Sequence, residues 1–231
     1  MQQKTLVNRQ KVHGTIQALS MRIEDRFPES GLGRVCKALL EISEDTLQTI
    51  EWIEKPNYWA RGFFYAFISL VLIALIASIS RLKLNLKSIA ISDSIQLIEA
   101  ATSEIVLLSA GIFFLYSYER RTKRNKIISS INQLRAITHL IDMHQLTKDP
   151  YIYQNLEQHK NTAYSPKREM TPLELNRYLD YCSEMLSLTS KLGFLYVQGF
   201  EDEVCISLVN DLENLSVSLS RKIWQKIMLL R

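Results

Sequence analysis

Apolar residues fall along this chain in two patterns. Over most of its length they recur every three or four positions, the spacing of one face of an α-helix. In two places they run together. From Gly62 to Ser80, GFFYAFISLVLIALIASIS, there is no charged residue, and an α-helix needs about 20 residues to cross a hydrocarbon core about 30 Å thick. Arg61 and Arg81 bracket the run, and Trp52, Tyr58 and Trp59 precede it, where amphipathic aromatics anchor at a membrane interface. A buried core helix of this length would carry a polar face, and this one has none. The second run, Ile105 to Tyr118, becomes a full span when it is extended back to Ala100, at the cost of one carboxylate, Glu104. The two runs predict a transmembrane hairpin over residues 61–118, with spans at about 62–80 and 100–118 and a short outer loop at 81–99. The alternative, one span plus a soluble core helix, leaves the second run in need of a core of its own.

The periodic segments flank this hairpin. Residues 1–60 read as two helices broken at Phe27-Pro28-Glu29-Ser30-Gly31, strong punctuation for a chain reversal. In the second of them Val35, Leu39, Ile42, Thr46, Ile50 and Ile53 form a stripe. Beyond the second run Ile127, Ile128, Ile131, Leu134, Ile137, Ile141 and Leu146 keep the helical period, and Asp149-Pro150 predicts a stop near Lys148. Residues 150–170 are polar and read as a linker. Thr171-Pro172-Leu173-Glu174 has the form of a capping box with Pro at the first helical position. Leu175, Leu179, Cys182, Leu186, Leu192 and Leu195 follow on one side, with Gly199 as the stop. A last helix spans about Glu201 to Leu230, with Val204, Leu208, Leu212, Leu215, Leu219, Ile223 and Ile227 as its stripe. A short connection makes the last two helices antiparallel neighbours. No alternating β pattern of useful length is present. The expected fold is therefore all-α: an integral membrane protein with a two-helix transmembrane hairpin and a cytoplasmic helical bundle formed by the N-terminal segment (1–60) and the C-terminal region (119–231).

Composition changes this picture little. The chain has 231 residues, is 47% hydrophobic and 23% charged, and has a mean hydropathy of -0.04 and a net charge of +4. That mean suits a soluble protein, but it averages two solvents. Charge decides orientation. Arg120, Arg121, Lys123, Arg124 and Lys126 follow the second run closely, whereas the loop holds only Arg81, Lys83 and Lys87. Basic residues stay cytoplasmic, so both termini are expected in the cytoplasm of a bacterial cell, with the chain in the inner (plasma) membrane. The basic cluster reads as an anchor beside acidic headgroups, which makes the lipid bilayer a partner and requires no nucleic acid. Cys36, Cys182 and Cys205 then lie on the reducing side, where thiols stay unpaired.

The chemistry on offer is sparse. His139, Asp142 and His144 invite a metal, but His144 lies about 140° round a helix from His139, whereas paired ligands on one helix want a spacing of three or four. The cysteines form no C-x-x-C pair, and no nucleophile-elbow, P-loop or H-E-x-x-H motif occurs. We expect no metal, no cofactor and no enzymatic activity. Asp93, Glu99 and Glu104 lie in the outer loop and the first turns of the second span, where an acidic ring at a pore mouth would select cations; hydration near the surface and the positive end of a helix account for them better. Trp224, Ile227, Met228 and Leu230 look like leftover apolar surface for a partner. The expected role is an inner-membrane interaction or scaffold protein that self-assembles or binds a protein partner through its cytoplasmic bundle. The alternative is an oligomeric cation channel or transport accessory whose second span lines a pore.

Overall fold

The computed structural model describes residues 6–56, 58–81, 91–154, 162–165 and 170–230, with the backbone alone at 58–61, 64, 74–75, 78–81, 91–98, 100–101, 115 and 153–154. The fold is all-α, with no strand among the described residues. The helices are α1 (Arg9–Arg26), α2 (Gly31–Glu54), α3 (Tyr58–Arg81), α4 (Ile91–Leu146), α5 (Pro150–Gln154), α6 (Pro172–Gln198) and α7 (Glu203–Leu229). Contacts divide the chain into two units: Met1–Glu54 together with Arg124–Arg231, and Lys55–Lys123.

In the first unit, side-chain chemistry sets the helix boundaries. Asn8 caps α1 by accepting from the Lys11 N–H at 3.0 Å. Pro28 ends the helix, and Glu29 takes a φ of 55°. Ser30 then accepts from Gly33 N–H at 3.0 Å to open α2. The turn is held by Phe27, whose ring meets Tyr178 and Tyr181 of α6 edge-on at 5.6 and 6.3 Å. The capping box of α6 is present in both directions: Glu174 N–H donates to Thr171 Oγ1 at 3.2 Å, and Thr171 N–H donates to Glu174 Oε2 at 2.7 Å.

The core of this unit takes one stripe from each long helix: Ile16 and Leu19 of α1, Leu32 and Leu39 of α2, Ile131 and Leu134 of α4, Leu179 and Leu186 of α6, Leu212 and Ile223 of α7. Each such side chain gains about 1.5–3 kcal/mol on burial. Helix α6 touches α1, α2, α5 and α7, and its pairing with α7 is the most extensive. That pairing is close at Gly193, where a Cβ would lie 2.7 Å from Leu212 Cδ2.

Three expectations need correction. The stretch 150–170 does not begin as a linker: Pro150 is buried and opens α5, which packs against α6 and α7. Pro suits a first helical position because its missing N–H would be unpaired there anyway. The buried line of α7 is Cys205, Val209, Leu212, Ser216, Leu219, Ile223 and Ile227, so Val204 is exposed and Leu208 and Leu215 are half-buried. Residues 91–99, expected in an outer loop, are the start of α4. No Pro or Gly interrupts them, and Asp93 suits a first turn. Residues 82–90, the rest of that loop, lie outside the described residues.

The second unit contains α3 and the first part of α4. Phe67 sits against Gly111, where a Cβ would lie 2.8 Å from its ring. Most of the described large apolar side chains here are exposed, Phe113 to 73% and Ile73 to 67%, whereas Val71 is buried. Ser69 and Ser109 return their hydroxyls to the carbonyls of Tyr65 and Ile105, each at 2.8 Å. Among the described residues no helix is long and apolar enough to cross a membrane; Phe64, Ala74, Leu75 and Ile79 of α3 fall outside the described side chains.

Gly193→Leu should lower stability by about 1–3 kcal/mol, since Leu212 is fully buried and has nowhere to retreat. Thermal melts followed by far-UV circular dichroism will show a lower midpoint, and Gly14→Ala, where a Cβ meets nothing within 4 Å, serves as a control that should not lose stability.

Candidate functional site

The residues singled out from the sequence do not converge on one place. On α4 the positions of Asp93 and Glu104 differ by about 20° round the helix axis, whereas Glu99 lies about 120° from Asp93. Three carboxylates on one pore-facing line are therefore not what this helix presents. Glu99 is exposed and Glu104 half-buried.

The basic cluster is likewise divided. Lys123 pairs with Glu119 at 2.8 Å and donates to the Lys55 carbonyl at 3.1 Å. Arg120 lies 3.5 Å from the Tyr116 hydroxyl. Arg124 donates through Nε and Nη2 to one oxygen of Asp202, at 3.0 and 2.7 Å. Asp202 is only 1% exposed, and its other oxygen accepts from the Cys205 N–H at 3.4 Å as the N-cap of α7. Read from the sequence as a lipid-facing anchor, Arg124 instead neutralises a buried carboxylate. Arg121 and Lys126 are exposed.

The far end of α4 has a second polar cluster. Lys226 Nζ donates to both the carbonyl and the side-chain Oε1 of Gln145, each at 2.7 Å, and Gln145 Nε2 donates to Asp142 Oδ1 at 2.6 Å. A cation here satisfies a last-turn carbonyl and complements the negative end of the helix dipole. Burial pushes the Lys226 amine below the ordinary lysine range. Nearby, Lys148 lies over the Tyr178 ring at 5.3 Å, and burial lowers it too. His144 packs against Gly31, and its pKa is lowered by burial and by the charges of Arg34 and Lys148. His139 is exposed. Among the described residues no group of three metal-ligating side chains comes together. Cys36, Cys182 and Cys205 are free and buried; burial raises the first two thiols to about 11 and about 12.

Among the described residues, a groove of about 450 Å³ lies between the outer faces of α6 and α7, with Val7 also lining it. Phe194 of α6 and Val217 and Trp224 of α7 supply apolar walls and remain exposed. Ser187, Ser190, Ser216 and Ser220 supply small residues between them. The hydroxyl of Ser216 is buried and has no hydrogen-bond partner. Of the four residues expected to contact a partner, Trp224 and Met228 are exposed, while Leu230 is half-buried against the core. Ile227 is a core residue and is unavailable. Its helical neighbour Ile223 is buried with it, so the apolar sequence around 223–230 serves two faces at once. Phe194 and Val217 were not singled out from the sequence. The available signal was their offset from the buried stripes, since an apolar residue on the far side of an amphipathic helix needs another reason to be there.

Comparison of this chain with known families, curated proteins and solved structures finds no match.

Asp202→Ala removes the α7 cap and leaves Arg124 without its carboxylate; it should cost about 1–3 kcal/mol, read as a lower melting midpoint, with Asp202→Asn losing less because the cap survives. His144 gives a pH prediction. Its folded pKa lies below the usual 6.5, so its contribution is complete above that value and declines as pH falls below it, where the unfolded chain takes up the proton more readily. Between pH 7.5 and 5.5 the midpoint of wild type should therefore fall further than that of His144→Gln; equal falls would remove His144 from the account.

Proposed function

We propose that this protein is a membrane-anchored helical interaction protein. Its hairpin, residues 61–118, sits in the inner (plasma) membrane of a bacterial cell, and its remaining helices assemble on the cytoplasmic side with a second chain. One observation carries the membrane reading: the second unit turns its large apolar side chains outward, as at Phe63, Ile73, Phe113 and Phe114. Water does not accept a continuous surface of that kind, and hydrocarbon does. The full sequence supports it, since Phe64, Ala74, Leu75 and Ile79 complete an uncharged run from Gly62 to Ser80. So does the internal bonding of Ser69 and Ser109, because a hydroxyl in lipid must find its partner within the protein. The excess of basic residues just after Tyr118 favours cytoplasmic termini.

The interaction reading rests on the α6–α7 groove, whose exposed aromatic and aliphatic walls suit a helix laid along them. In the cation-channel reading Asp93 and Glu104, which share a face of α4, would line a pore, with Glu99 about 120° away from Asp93.

Topology is tested by labelling in intact cells with a membrane-impermeant maleimide. Ser88→Cys should react from outside, and Ser165→Cys only after lysis, against a low background because the three native thiols are buried. Recovery of the protein in the supernatant after alkaline carbonate extraction would overturn the membrane reading.

A further inference from the structure

The charges that α7 brings to the α6–α7 groove form a self-complementary pattern, while the Lys191 amine of α6 is held by the Ser187 hydroxyl at 2.6 Å. On α7, Glu213 stands four residues before Val217 and Arg221 four residues after it, and all three line the groove. Both charged side chains are exposed. They are about 12 Å apart along the axis, too far to pair within one helix, and neither forms an ion pair among the described residues. A two-fold axis through Val217, laying α7 antiparallel on α7 of a second copy, reverses that order. Each Glu213 then lies level with Arg221 of the other copy, and Val217 meets its own counterpart between the two pairs. Two-fold interfaces require this property: the same patch must complement itself.

Two further features of the groove fit that occupant. The small serines that line it let another helix approach closely, and the unpartnered hydroxyl of Ser216 lies among them. Phe194 and Trp224 line it as aromatic anchors, the residue types that dominate interface energetics.

We propose that this groove is a homodimer interface in which α7 pairs antiparallel with α7 of a second copy about Val217, held in register by reciprocal Glu213–Arg221 salt bridges. The proposal rests on the self-assembly reading above and names its surface and partner.

The test is light scattering on the full chain in mild detergent across a concentration series. Wild type should dimerise. Arg221→Glu and Glu213→Arg each replace two attractive pairs with two repulsive ones and should raise the dimer dissociation constant at least about tenfold. The double swap Glu213→Arg/Arg221→Glu should return it to within about threefold of wild type. Both positions are exposed, and unchanged helicity by circular dichroism will confirm folding. Independently, Val217→Cys should cross-link to itself on mild oxidation, whereas Lys222→Cys, about 140° round the helix, should not. An oligomer insensitive to all three charge variants, with no cross-link through position 217, overturns this interface while leaving self-assembly through another surface. A monomeric wild type overturns both this proposal and the self-assembly reading. Single variants that weaken the dimer without rescue by the double swap overturn the reciprocal pairing.

Discussion

Three polar ties run in the same order along α4 and α7. Arg124 reaches Asp202 at 2.7 Å, Arg135 reaches Asp211 at 3.8 Å, and Gln145 accepts from Lys226 at 2.7 Å. The ties rise together in number on both helices, so α7 runs parallel to the second half of α4 and in one register. The middle tie is exposed and worth little. The outer two matter more, because each also satisfies a helix end. Asp202 caps the start of α7, and Lys226 occupies the carbonyl end of α4. Between them Ile127, Ile131, Leu134, Ile137 and Ile141 fill the space with apolar volume. A slide of α7 by one turn would part the buried Asp202 carboxylate from Arg124 and misalign these side chains in the same step.

Helix α6 closes the bundle around that pair. It runs antiparallel to α7 with Gly193 under Leu212, and it carries Tyr196, whose hydroxyl donates to Thr46 Oγ1 of α2 at 3.0 Å in a buried setting. Burial raises that phenol further above its ordinary range, so it stays a neutral donor. A hydrogen bond of this kind adds only about 1 kcal/mol net, but it forbids rotations of α6 that the apolar contacts alone would tolerate. The Phe27 contacts with Tyr178 and Tyr181 act similarly at the α1–α2 turn. Apolar burial supplies the driving force, and these few directional contacts select one arrangement.

Much of this was legible in the sequence because it depends on local rules. The break at Pro28, the capping box at Thr171 and Glu174, the stop at Gly199 and the buried Val35, Leu39 and Ile53 each follow from propensity or period. What escaped depended on partners distant in sequence. Ser216 lies on the buried line of α7, yet Leu215 beside it is more apolar and drew the stripe one residue aside. Arg124 sits among four other basic residues, and nothing local says that Asp202, 78 positions away, will claim it. Lys226 suited the dipole of its own helix, but it caps the carbonyl end of another. The start of α4 was hidden for a different reason: residues 91–99 combine apolar and polar side chains without a breaker, so composition alone resembles a loop while the backbone continues as helix.

The same packing explains why α7 has two apolar faces. Its inner line is consumed by α4 and α6, and Leu212, Ile223 and Ile227 have no exposure to offer. Val217, Trp224 and Met228 lie outside that line and gain nothing from the fold of their own chain. Large apolar side chains held on a solvent face are tolerable one at a time, but here Val217 and Trp224 line one groove with Phe194 of the neighbouring helix. Because α7 is already locked in register by its ties to α4, that groove is preformed. A partner docking there would pay little conformational entropy, since the rigid helices are ordered before it arrives.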